Sequence, residues 1–265
     1  MSKLAIGIST LNNGLNNIDF MALSRITSNF DVSFIIDHQV TNSQSYNYDF
    51  IMNKKIALIK SQEKGLSKSR NRIINYCKSQ YLLISDDDVD YLISNIMTFL
   101  NGQNENSWYA ACGKVKLKGN EARDFKSYSN DVKRLSKIDC TRVSSVELII
   151  NMDEWRKSRV YFDEKFGLGS DFPSGEEFIF LTDIMKNGGK VCFFPVPFVL
   201  HDPVSSGQDF FSNDILLIAK VAMFKRVYGK LSNFYIFAFY IKKFRLLVKN
   251  GASIRFLNLW VSYGK

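Results

Sequence analysis

Apolar residues in the first hundred positions come in short runs, each cut off by polar or glycine-bearing segments. "LAIGIS" (Leu4–Ser9), "VSFIID" (Val32–Asp37), "KIALIK" (Lys55–Lys60) and "YLLIS" (Tyr81–Ser85) have the length and hydrophobicity of buried strands. Between them, apolar residues recur at helical spacing. Residues 18–28 read as a helix. So does the stretch after Gly65, where Ile73, Ile74 and Cys77 share a face and Ser67 stands where a cap would. Short strands alternating with helices predict an α/β fold: a mostly parallel central sheet, Rossmann-like, with helices on both faces.

The pattern then blurs. Trp108 to Lys137 is polar and reads as strands and loops. Val146–Asn151 is a further strand. "PSGEEFIFLTDIMKNGG" predicts a helix capped by Ser174 and stopped at Gly188–Gly189. "VCFFPVPFVLH" predicts a strand, a proline break, and a second short strand ending at His201. From Asp214 onward the chain reads as helical, interrupted at Gly229 and Gly251. The expected organisation is an α/β domain over 1–210, in halves 1–105 and 106–210, followed by a helical appendage over 211–265. No internal repeat is present.

Charge changes this picture at one place. The net charge is +9, yet Val221–Lys265 holds nine basic residues and no acid, which leaves 26 basic against 26 acidic residues elsewhere. The excess therefore belongs to the appendage. There Phe237, Ile241, Phe244 and Val248 recur at helical spacing beside Lys242, Arg245 and Lys249. Such a stripe suits a helix lying on an anionic membrane surface; a helix packed on the main domain with a solvated basic face would look similar. A nucleic-acid binder would leave the acidic clusters described next unexplained. The cysteines (77, 112, 140 and 192) are too scattered for zinc or a disulfide framework and read as free thiols of a reducing compartment. The amino-terminal "MSKLAIGIST" has no signal-peptide run, and the longest apolar stretch is far below the roughly 20 residues of a membrane span. A cytoplasmic protein, peripheral on the inner face of the membrane, is expected.

Three constellations carry candidate chemistry. The strand "YLLIS" ends in Asp86, Asp87 and Asp88. Ligands of open parallel sheets bind beyond the carboxyl ends of the strands, and Thr10, Asn12 and Asp37 follow strands at the same rim. Adjacent carboxylates repel and call for a cation; hard oxygen ligands favour Mg²⁺ or Mn²⁺, held with substrate phosphates. An acidic helix-capping loop is the plainer alternative for such a triplet. "SGEEF" offers Glu177, or Glu176, as a general base, although two acids also suit a helix dipole. His201 ends a strand at the same rim and could complete a metal shell or meet a phosphate. His38 is expected at the surface or near a base ring. Phe166 and Phe172 read as core before they read as a sugar platform.

In this order, "GISTLNN", "KGLSKSRNRII", "YLLISDDDVD", "FDEKFGLGSDFPSGEEFIFLTDIMKNGGKVCFFP" and "VPFVLHDPVSSG" resemble the family-2 glycosyltransferases of the GT-A fold, in particular bacterial surface-polysaccharide members, over Lys3–Gly207. The resemblance implies a nucleotide-sugar donor, expected to be a UDP-sugar, bound by Thr10, Asn12, Asp37, Arg70, Asp86 and Asp87. It implies a metal at Asp86, Asp88 and His201, and Glu177 as the base of an inverting transfer to a lipid-linked oligosaccharide. It makes 1–105 the nucleotide half and 106–210 the acceptor half, and leaves a homodimer open. Two departures stand out: the second acid is Glu rather than the commoner Asp, and the second strand runs into "DHQV" where "DDGS" is usual.

Overall fold

The computed structural model describes residues 2–48, 53–103, 108–202 and 210–263. Four parallel strands form its first half: β1 (Leu4–Leu11), β2 (Val32–Gln39), β3 (Ile56–Ser61) and β4 (Tyr81–Asp86), in the order β3-β2-β1-β4. Each run alternates between two buried faces. Leu4, Ile6, Ile8, Phe34, Ile36 and Leu83 pack against α1 (Phe20–Asn29) and α3 (Ile93–Asn101). Ala5, Ile35, Leu82 and Ile84 pack against α2 (Leu66–Tyr76) through Ile73 and Ile74. A two-residue strand β5 (Asp90–Tyr91) follows the aspartates.

The second half holds β6 (Ala110–Leu117), β7 (Asn120–Asp124), β8 (Lys133–Arg134), a single turn α4 (Lys137–Cys140), β9 (Leu148–Asn151), α5 (Met152–Ser158), α6 (Glu176–Lys186) and β10 (Val191–His201). β9 runs antiparallel to both β4 and β6. β6 therefore points the same way as β4, and β10 pairs parallel with β6. This one reversal brings the end of β10, at His201, to the rim where β1, β2 and β4 end. The mostly parallel sheet is as expected.

Local details differ from the sequence reading. Ser67 does not cap α2; the cap position is Gly65, at φ 142°. Ser174 does not cap α6 either; Gly175 does, with φ 99°. β10 is one strand and not two. Register shifts between Phe193 and Pro197 and between Pro197 and Val199 absorb residues that have no N–H to give to the ladder. His38 is fully buried rather than at the surface.

The appendage comprises α7 (Asp214–Tyr228), α8 (Ser232–Lys249) and α9 (Ser253–Ser262). Leu217, Val221 and Phe224 of α7 lie in the same core as Phe178 and Ile179 of α6. α8 folds back along α7, and Phe256 of α9 closes the layer against Phe239 and Tyr240. All four cysteines are free.

Candidate active site

One face of α2 organises the rim. Ser67 donates to the carbonyl of Phe166 at 2.6 Å, and Ser69 meets Ser9 of β1 at 2.8 Å. Asn71 holds Phe162 through both backbone groups, at 2.9 and 3.0 Å. Arg70, 1 % exposed, donates to Asp86 at 3.3 Å, to Glu176 at 3.2 Å and to Glu177 at 3.3 Å. The "GLSKSRN" segment thus fastens the 162–174 loop to the sheet and joins the end of β4 to the start of α6. Periodicity gave α2 its apolar face; it gave no hint that the polar face spans two constellations.

The acidic triplet divides three ways. Asp86 faces Arg70 through one oxygen and Ser145 through the other, at 3.4 Å. Asp87 turns toward β1, where Thr10 donates to it at 2.5 Å and Asn17 at 3.5 Å. Burial raises its pKa. Gly14 packs beside it: a Cβ there would sit 2.2 Å from an Asp87 oxygen and would displace that side chain. Asp88 faces outward, half exposed, with His201 Nε2 3.8 Å from its Oδ1.

The three expected metal ligands do not gather as a trio: among the described residues no group of three or more such side chains converges. Asp88 and His201 do pair. His201 Nδ1 lies 2.7 Å from the carbonyl of Asp202, which can only accept, so Nδ1 donates there and Nε2 is the ring nitrogen turned to the Asp88 side. Mg²⁺ and Mn²⁺ sites of this kind use one or two protein ligands plus phosphate oxygens, so the pair fits such an ion. Residues 203–209, including the proline of the expected His-Pro loop, lie outside the described residues.

At the amino end of α6 the two glutamates differ. Glu177 is 18 % exposed on its side chain and Glu176 6 %. One guanidinium serves three carboxylates, and the deepest of them is the one that takes up a proton. Burial, followed by repulsion from Glu177, lifts Glu176 to a pKa of about 7, and a hydrogen bond to Glu177 helps hold the proton. Glu177 is the more solvent-accessible carboxylate of the two. Phe166 is buried in the core, and Phe172, half-buried, packs on it with centroids 5.0 Å apart.

The expected nucleotide residues sit at the rim but have partners. Both oxygens of Asp37 accept from Arg72, at 2.8 and 2.9 Å. Asn12, at φ 50°, holds the following loop through Thr41 at 2.9 and 3.1 Å. His38 donates from Nε2 to the Asn12 carbonyl and accepts at Nδ1 from Tyr48; its pKa is lowered by burial. Beside this cluster lies an amide-rich cleft of about 640 Å³ lined by Asn13, Asn16, Gln44 and Tyr46. The sequence reading missed it, though "LNNGLNN" and "TNSQSYN" carry an evident excess of amides.

Residues 11–167, which include the acidic strand end and α2, match the profile of Glycosyl transferase family 2. The chain belongs to that family. No curated protein matches it in sequence. The glycosyltransferase is similar in structure to S. aureus TarS 1–349, with 12 % identity and a TM-score of 0.52, covering 87 % of this chain and 68 % of that one. TarS 1–349 in complex with UDP-GlcNAc matches with 13 % identity and a TM-score of 0.51, covering 87 % and 69 %. Against the longer S. aureus TarS structure the figures are 12 % and 0.51, and the match spans 41 % of that chain. At these identities the likeness establishes the GT-A-like fold of the glycosyltransferase.

Proposed function

We propose that this glycosyltransferase moves a sugar from a nucleotide-diphosphate donor, a UDP-sugar, to a hydroxyl of a lipid-linked saccharide, with inversion, in the synthesis of a bacterial capsule, O-antigen or exopolysaccharide. The observation that carries this reading is the Arg70 bridge. It brings the end of β4, where a donor diphosphate belongs, within one guanidinium of the acid pair on α6. The complex of TarS with UDP-GlcNAc on a similar fold supports the donor class.

In this reading Glu177 takes the proton of the acceptor hydroxyl. The acceptor oxygen forms its bond to the anomeric carbon while the bond to the phosphate oxygen breaks, and that electron pair leaves with the nucleoside diphosphate. Glu176, protonated near neutrality, donates to Glu177 and spares it a second adjacent charge. Arg70 fixes both acids relative to the donor. Asp88 and His201 would hold Mg²⁺ or Mn²⁺, which supplies positive charge to the leaving diphosphate.

The appendage is the membrane-facing part of this proposal. Phe234, Phe237, Ile241, Phe244 and Val248 are 45–68 % exposed, on the side of α8 opposite Ile236 and Leu247, which are buried. Arg245, Lys249 and Lys242 border that stripe. An apolar stripe flanked by cations suits the interface of an anionic bilayer, where a lipid-linked acceptor resides. Among the described residues no helix is long and apolar enough to cross a membrane.

A panel of nucleotide sugars with Mn²⁺ tests the donor class. A true donor raises the melting temperature by mass action and releases its nucleoside diphosphate when acceptor lipid is added. A panel without any such response counts against the reading.

A further inference from the structure

α7 and α8 run antiparallel as a ladder of paired rings. Tyr228 stacks on Tyr235 with centroids 3.6 Å apart, and Phe224 meets Phe239 at 5.4 Å. One helical turn further along each helix, the next rung sets Lys220 opposite Lys243. Beyond it the interface is apolar again, with Leu217 and Leu247 both buried. Two like charges thus interrupt an apolar seam. Both lysines are half-buried, and among the described residues neither makes a salt bridge or hydrogen bond. Such a pair destabilises the seam unless an anion joins it.

The rung lies near the acid pair. Met223, one turn from Lys220 on the same face, lies so close to Gly175 that a Cβ there would meet its sulfur at 2.8 Å. Gly175 is the residue before Glu176. Burial lowers the Lys220 pKa; Glu176 and Glu177 oppose this and Lys243 adds to it. Arg70 makes the direct contacts to the glutamates; Lys220 feels their charge but makes no salt bridge or hydrogen bond to them.

We infer that Lys220 and Lys243 form a binding site for a dianionic phosphate group carried by the acceptor, seated on the α7 side of the acid pair. This assignment of the ligand to the acceptor rests on the reading of Glu177 as the base; the site itself does not. Two ammonium groups from two helices suit two negative charges on one group, such as a phosphate monoester or pyrophosphate, better than a single carboxylate.

The test needs neither donor nor metal. The melting temperature and the calorimetric affinity of the full chain are measured with inorganic phosphate in EDTA, with acetate in parallel, for wild type, Lys220→Gln, Lys243→Gln and the surface control Lys54→Gln. Circular dichroism checks that each variant is folded. Without ligand, Lys220→Gln and Lys243→Gln are expected to melt higher than wild type, because the repulsion is gone. Their phosphate affinity is expected to fall at least tenfold, while Lys54→Gln responds as wild type does. Phosphatidic acid vesicles, whose headgroup is a phosphate monoester, added to the same set separate the sources. Binding weakened in Lys220→Gln identifies a lipid headgroup as the phosphate, and unchanged vesicle binding identifies a phosphate on the soluble part of the acceptor. No phosphate binding by wild type, wild-type phosphate affinity in the two lysine variants, or acetate binding as tight as phosphate would each overturn the site. Loss of the Glu177 assignment alone would leave these results standing.

Discussion

Replacing Arg70 by Met removes the one cation shared by Asp86, Glu176 and Glu177 while leaving most of its volume filled. The side chain is 1 % exposed and touches the three carboxylates at 3.2–3.3 Å, so water cannot take its place without opening the α2–α6 contact. Removing one partner from a buried charged group costs about 3–5 kcal/mol. The cost should depend on pH. Glu176 already has a folded-state pKa above its unfolded value of roughly 4, and loss of the guanidinium raises it further. A group raised in this way contributes stability that is present below the unfolded pKa and lost as pH rises through the folded one. Glu176 stands at about 7 even with Arg70 in place, so the window lies between pH 5 and 8. Urea unfolding followed by circular dichroism across that window should give a deficit of about 3–5 kcal/mol at pH 8 that shrinks steadily toward pH 5. A deficit below about 1 kcal/mol, the same at every pH, would refute the idea that this guanidinium holds the site together.

Two further outcomes follow from the geometry. Asp88→Asn should weaken Mn²⁺-dependent binding of the donor by more than about tenfold without altering the melting temperature of the free protein, since Asp88 is half exposed; calorimetry with and without Mn²⁺ checks both. Phe237→Asp with Ile241→Asp, on the exposed stripe of α8, should lower binding to phosphatidylglycerol vesicles at least about tenfold, and wild-type binding should fall as salt rises; sedimentation of vesicles reads out both effects.

What the sequence made legible, and what it hid, have physical causes. Leu4, Ile6 and Ile8 alternate with residues that are also buried, so the hydrophobic run announced β1 without naming a face, and only the helices on both sides fixed the layering. The triplet read as an acidic rim because a strand ended there. Its division was hidden, because adjacent side chains in an irregular turn take separate directions that depend on remote partners: Thr10 for Asp87, Arg70 for Asp86, His201 for Asp88. Ser67 and Ser174 read as caps because their type favours that place. The backbone instead needed positive φ at Gly65 and Gly175, and the hydroxyl of Ser67 went to a loop 99 positions away. Pro195 and Pro197 read as a break, yet bulges let β10 pass through. The aromatic and basic spacing of α8 was visible in the sequence. That α8 has a second, buried face with Lys243 on it required the partner helix.

The central claim is that Glu177, and not Glu176, takes the acceptor proton while Arg70 ties both to the donor end. It is tested most directly by comparing Glu177→Gln with Glu176→Gln in one experiment that measures donor affinity and transfer rate. Glu177→Gln should bind the donor as wild type does and transfer about 10²–10⁴-fold more slowly, with Glu176→Gln far less affected. The opposite pattern, or full transfer by Glu177→Gln, would contradict the account.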